Sequence, residues 1–198
     1  MTREAVSATG SVKRVDPRIT RSKTAALTAV REILFAEGWA AVTHAAVAAR
    51  SGVGRSTLYR HWPDVVDLLR DAIAGEMART HSEPKGRLRE DLLAELNTIR
   101  RQLHDPANLR LIRVIIERAD ISPSFAALKQ GLYREGSRTT AEIIESGVRR
   151  GELPADTDVA FAVDQLLGPL FFRRLLVSAA FDAAYVDRVV NGYLARAS

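Results

Sequence analysis

The 198-residue chain contains no cysteine, so disulfides and thiolate metal sites are excluded, and a reducing, cytoplasmic setting suits it. It has only four histidines, His44, His61, His81 and His104. None stands at metal-ligand spacing from another histidine or an acid on one helix face, so no metal and no other cofactor is expected. The carboxylates are scattered and read as solvated helix faces rather than as an acid–base pair. The run Ser51-Gly52-Val53-Gly54-Arg55-Ser56 is glycine-rich, but no strand precedes it and it lacks the Lys-Ser/Thr of a phosphate loop. Little ground is left for an enzyme. No strand-like alternation persists, which points to an all-α chain. The first residues lack the apolar stretch of a secretion signal. The longest apolar stretch, Val159–Phe181, holds Asp164, Arg173 and Arg174, charges that are costly at bilayer depth. It reads as a helix buried by protein, part of it against a partner subunit, and kinked at Gly168-Pro169.

What is present is unevenly placed charge. The formal net charge is +5, and residues 1–65 hold ten Lys/Arg against five acids, whereas the remainder has nineteen of each sign. A basic module joined to a neutral one is expected when only the first meets a polyanion; a solvated basic surface with no partner is the competing reading.

Apolar spacing then divides the chain into helices. Residues 1–17 are polar and non-periodic and read as a disordered basic arm, either following DNA or without a role. From about Thr20, the residues Ala26, Leu27, Val30, Ile33 and Leu34 form one stripe, ended by Gly38, with Trp39 packing beneath. Pro63–Thr80 reads as one longer helix, and His81–Gly86 as a break. Helices follow over 87–104 and 106–119. Another runs from Pro123 to Gly151, with a bend expected near Gly131 or Gly136. After Val159–Phe181 comes a last segment containing Tyr185, Val186, Val189, Val190, Tyr193 and Leu194.

Between the first two of these helical stretches lies Thr43–Trp62, THAAVAARSGVGRSTLYRHW. Thr43 suits an N-cap, Val47 and Ala48 are the buried candidates of a short helix, and Gly52 supplies the positive φ of a tight turn. Val53 plugs the turn. Gly54 opens a second helix in which Leu58 and Trp62 share the inward face. That leaves Arg55, Ser56, Thr57, Tyr59, Arg60 and His61 on the remaining surface. The stretch from about Thr20 to Leu69 resembles the TetR family of transcriptional regulators in its Thr-capped helix, Ser51-Gly52-Val53, Thr57-Leu58-Tyr59 and His61-Trp62. Three positions depart from the pattern. Gly54 stands where a Ser is frequent and Val65 where a Lys is frequent, each removing a possible phosphate contact, and Ser51 replaces Ala.

The resemblance implies an N-terminal three-helix helix-turn-helix DNA-binding domain, residues 18–66, and a C-terminal helical ligand-binding and dimerisation domain, residues 67–198. It implies that Thr43, Tyr59 and His61 position phosphates and that Arg55, Ser56 and Thr57 read base edges, with Arg60 serving either role. It further implies a homodimer formed through Val159–Ala180 and Ala183–Arg196, a palindromic double-stranded DNA operator, repression, and release by a small, mainly hydrophobic effector. Candidate cavity residues are Leu92, Leu96, Ile99, Leu103, Ile115, Phe125, Leu132, Tyr133 and Phe172, with Tyr133 or Arg118 as polar contacts; for each of the nine, ordinary core is the first reading and cavity wall the second. The alternative function is a helical small-molecule binder or interaction protein whose DNA-binding module has decayed.

Overall fold

The computed structural model describes residues 17–77 and 81–197; of the arm expected over residues 1–17 only Pro17 is among them, and it opens the first helix. The described residues form α1 (Pro17–Glu37), a 3-10 turn (Trp39–Ala41), α2 (His44–Ser51), α3 (Arg55–His61), α4 (Val65–Met77), α5 (Leu88–His104), α6 (Pro106–Ala119), α7 (Pro123–Arg149), α8 (Val159–Phe171) and α9 (Ala183–Ala197). No strand occurs among the described residues.

Side-chain caps set several starts. Asp105 accepts from the N–H groups of Ala107 and Asn108 at 2.8 and 3.0 Å, with Pro106 in the first turn of α6. Asp158 caps α8 through Phe161 N–H. Asp64 accepts from Val66 N–H at 2.9 Å, so α4 begins after Asp64 and not at Pro63. At the expected bend near Gly131 or Gly136, α7 continues as one unbroken helix from Pro123 to Arg149.

The expected helix over Val159–Phe181 is shorter than its apolar run. Pro169 has no N–H to give the preceding turn, and beyond Phe171 the chain widens into a π turn over Phe172–Leu176, closed by Val177 N–H on the Phe172 carbonyl at 3.2 Å. Ser178 then takes a positive φ of 56° and the chain leaves the helix. Residues 177–180 of the expected dimer segment are therefore non-helical.

Two apolar cores result. One joins α1–α4 to Leu111 and Ile115 of α6 and to Phe125 and Leu128 of α7. The second is built by α5, α7, α8 and α9. The helix-turn-helix core is thus walled on one side by α6 and α7. Trp39 meets Phe125 edge-on at 4.9 Å across that junction.

Nor are all the carboxylates solvated. Glu95 is fully buried and accepts from His81 Nδ1 at 2.6 Å and from Ser82 N–H and Oγ at 2.9 Å each. Asp91, also buried, accepts from the N–H groups of Lys85, Gly86 and Arg87. Loop amides left without partners at the start of α5 are the reason: a buried donor needs an acceptor, and these two acids supply it.

Candidate nucleic-acid interface and effector cavity

Thr43 Oγ1 accepts from Ala46 N–H at 3.1 Å and starts α2, while the exposed hydroxyl keeps its hydrogen to donate outward. Gly52 ends α2 in the left-handed region, φ 71° and ψ 5°. Ser51 braces the turn: its hydroxyl donates to the Val47 carbonyl at 2.6 Å and accepts from Val53 N–H at 3.2 Å. Gly54 starts α3 without a side-chain cap. Leu58 and Trp62 are buried and fix the inward face of α3. Arg55, Ser56, Tyr59 and Arg60 are consequently exposed, and Thr57 and His61 are half-buried at the edges of that surface. Among the described residues neither Arg55 nor Arg60 is ion-paired, whereas Arg50 is held by Glu37 at 2.9 Å and Glu32 at 3.8 Å. Two unneutralised guanidinium groups on one exposed helix attract phosphate or the acceptors of guanine.

Sequence reasoning passed over His44. It is 6% exposed, its Nε2 lies 2.7 Å from the Trp62 carbonyl, and its ring stacks on Tyr59 with centroids 4.1 Å apart and planes 21° from parallel. Trp62 in turn donates its indole N–H to Asp71 of α4 at 2.8 Å. The available signal was a polar residue on the inward face of α2.

Behind the motif lies a cavity of about 570 Å³. Its walls include Arg31 and Leu34 of α1, Leu69, Ala72 and Ile73 of α4, Ile99 and Leu103 of α5, Leu111 and Ile115 of α6, Leu132 and Tyr133 of α7, and Val163, Asp164, Leu167 and Phe171 of α8. Ile99, Leu103, Ile115, Leu132 and Tyr133 among the sequence candidates are thus brought together. The other candidates lie elsewhere. Leu92 and Leu96 turn into the α5–α9 core, and Phe125 packs on Trp39 in the other core. Arg118 sits near the end of α6 outside the wall. Phe172, 57% exposed, faces away, one helical step (about 100°) from the lining Phe171. Arg31, Gln102, Asn108 and Asp164 were polar wall residues that apolar periodicity had no means of finding.

Every lining residue that is deeply buried is apolar, and the polar ones are half-buried or exposed. At the rim the Tyr133 hydroxyl donates to Asp164 Oδ1 at 3.3 Å. Burial first, then the charge of Asp164 and this hydrogen bond, push the phenol above its ordinary value. The cavity offers dry apolar contact inside and hydrogen bonding at its mouth.

Residues 26–72 match the family described as bacterial regulatory proteins, tetR family, and residues 82–192 match the tetracyclin repressor-like C-terminal domain. The chain belongs to the TetR family of transcriptional regulators. As a TetR regulator it carries a DNA-binding domain, and its family is one of transcription factors, not enzymes. It is similar to the uncharacterized HTH-type transcriptional regulator YdeS of Bacillus subtilis, 25% identical over 184 residues and covering 91% of this chain and 92% of the relative. It is similar to the DNA-binding transcriptional repressor TetR of Mycobacteroides abscessus, 27% identical over 179 residues, with 87% and 92% covered. The crystal structure of the TetR family transcription regulator SCO0332 superposes with a TM-score of 0.75 at 30% identity, covering 88% of this chain and 97% of that one. No helix among the described residues is long and apolar enough to cross a membrane.

Proposed function

We propose that this regulator binds a palindromic operator as a homodimer, represses transcription there, and is released by a small, mainly hydrophobic effector. A shared wall carries the reading: one cavity touches Arg31 and Leu34 in α1 of the DNA-binding unit and α4, the helix that leads out of that unit, as well as α5–α8. A molecule seated there contacts the unit it must move. Any difference in its fit between the DNA-bound and released arrangements becomes coupling free energy of the opposite sign for DNA. The apolar interior supports an effector with an uncharged body, its polar end at the Tyr133–Asp164 mouth, because an ionised group inside would have no partner. The repressor name of the Mycobacteroides abscessus relative supports the sign of regulation.

In this reading Arg55, Ser56 and Thr57 meet base edges, Thr43, Tyr59 and His61 meet phosphates, and Arg60 serves either. Residues 18–66 are the DNA-binding unit and 67–198 the effector and dimer unit, with the two cores meeting at α6 and α7. Homodimerisation through α8, its π turn and α9 is supported by Phe161, Phe172 and Leu176 of α8 and the π turn, large apolar side chains exposed by 60, 57 and 74%.

The test is selection of binding sites from random duplex DNA with the purified protein, followed by a screen of apolar compounds for release. Enrichment of two inverted half-sites about 34–36 Å apart is expected. No enriched sequence, or a single unpaired half-site, rules against this function.

A further inference from the structure

We propose that His44 and Asp71 are positioning residues for DNA binding: together they strap Trp62, the end of α3, so that Tyr59 is held ready for a phosphate. A carbonyl only accepts, so His44 Nε2 carries a proton and donates it to the Trp62 carbonyl at 2.7 Å. Trp62 is the C-cap residue of α3, its N–H donating to the Leu58 carbonyl, and its own carbonyl lies beside a buried side chain, where an unmade hydrogen bond is costly. The Trp62 indole is tied at its other side to Asp71 of α4 at 2.8 Å. One residue therefore joins α2, α3 and α4.

The same imidazole is the platform for Tyr59. Their rings lie 4.1 Å apart and 21° from parallel, and Tyr59 remains 55% exposed. The inner ring face is occupied while the outer part of the side chain is presented to solvent. A phenol so supported loses less rotamer freedom when it meets a phosphate than a free one does. The strap also reaches the cavity, since Leu69, Ala72 and Ile73, which flank Asp71 along α4, line it. A shift of α4 is passed to Tyr59 through Asp71, Trp62 and His44. This inference rests on the reading of Tyr59 as a phosphate contact.

A random-sequence duplex tests it, because phosphate contacts carry no base information. His44→Leu, His44→Gln, Asp71→Leu, Tyr59→Phe and the His44→Leu/Tyr59→Phe double variant of the full chain are compared in affinity at low salt, with thermal melting as the check on folding. His44→Leu weakens binding about tenfold and Asp71→Leu about threefold, the loss expected for a lost hydrogen bond and its support. His44→Gln, whose amide still donates to the Trp62 carbonyl, recovers most of the loss. In the Tyr59→Phe background His44→Leu has an effect within about twofold of none, since the two residues act as a unit. Should Tyr59→Phe bind as tightly as the parent, the phosphate role of Tyr59 is wrong. Should Tyr59→Phe weaken binding while His44→Leu and Asp71→Leu, both melting normally, leave it intact, the strap is wrong. If His44→Leu does not fold, Asp71→Leu decides alone, because Asp71 is half-exposed on α4 and outside both cores.

Discussion

At the scale of single residues, the exposed guanidinium of Arg55 and the buried hydroxyl of Thr140 make opposite demands on their surroundings. Arg55 stands at the first position of α3, exposed and without an ion pair among the described residues. A guanidinium there suits bidentate contact with a guanine, and Arg55→Ala is expected to cost about 1–3 kcal/mol on the selected operator and to relax preference at one base position. Titration of the operator and its single-base variants measures both. A uniform loss over all sequences reassigns Arg55 to phosphate. Thr140 lies fully buried in α7 and its Oγ1 has no hydrogen-bond partner among the described residues. Thr140→Val keeps the shape and removes the unmet polar atom, so it is expected to stabilise by about 1 kcal/mol in urea unfolding. Lower stability in that variant means the hydroxyl is satisfied after all.

At the scale of elements, the turn between α2 and α3 is governed by backbone conformation rather than by space. A Cβ at Gly52 meets nothing within 4 Å, yet φ there is 71°. Gly52→Ala is therefore expected to lose about 1 kcal/mol through strain alone, and Gly52→Asn less, because Asn tolerates the left-handed region. Equal losses by chemical denaturation argue instead for a steric origin. The turn was legible because Gly52, the Thr43 cap and the Leu58–Trp62 spacing are local signals. The extents of α5 and α6 were legible too: helices expected over 87–104 and 106–119 are found at Leu88–His104 and Pro106–Ala119. What local pattern did not contain was partnership. Glu95 and Asp91 look like solvated acids until the 81–87 loop folds onto them. His44 looks like a stray polar residue until the Trp62 carbonyl arrives eighteen positions later. Pro169 was visible in the apolar run after Val159 as a kink, but hydrophobicity is blind to the π turn beyond Phe171 and to the exit from the helix at Ser178. Cavity walls are likewise a property of where helices leave space: Phe171 and Phe172 are alike in sequence, and one lines the cavity while the other faces solvent.

At the scale of the whole molecule, the proposed dimer and the uneven charge make a joint prediction. Leu176 is 74% exposed on the π turn beside α8, outside the core formed by α5 and α7–α9, so Leu176→Asp leaves the fold of one copy untouched. In a self-complementary apolar face each copy would bury such a charge without a counter-ion, which disfavours pairing. Sedimentation is expected to show a monomer with normal helical content. Affinity for DNA reports the same event through salt. Each phosphate neutralised by Lys or Arg releases counterions, and log affinity falls linearly with log salt in proportion to the number of such contacts. A dimer presents two copies of Arg55 and Arg60 and a monomer one, so the salt slope of Leu176→Asp should be about half that of the parent on the same duplex. A monomer with an undiminished slope places the basic contacts on a single copy, and a variant that remains dimeric moves the interface away from the π turn.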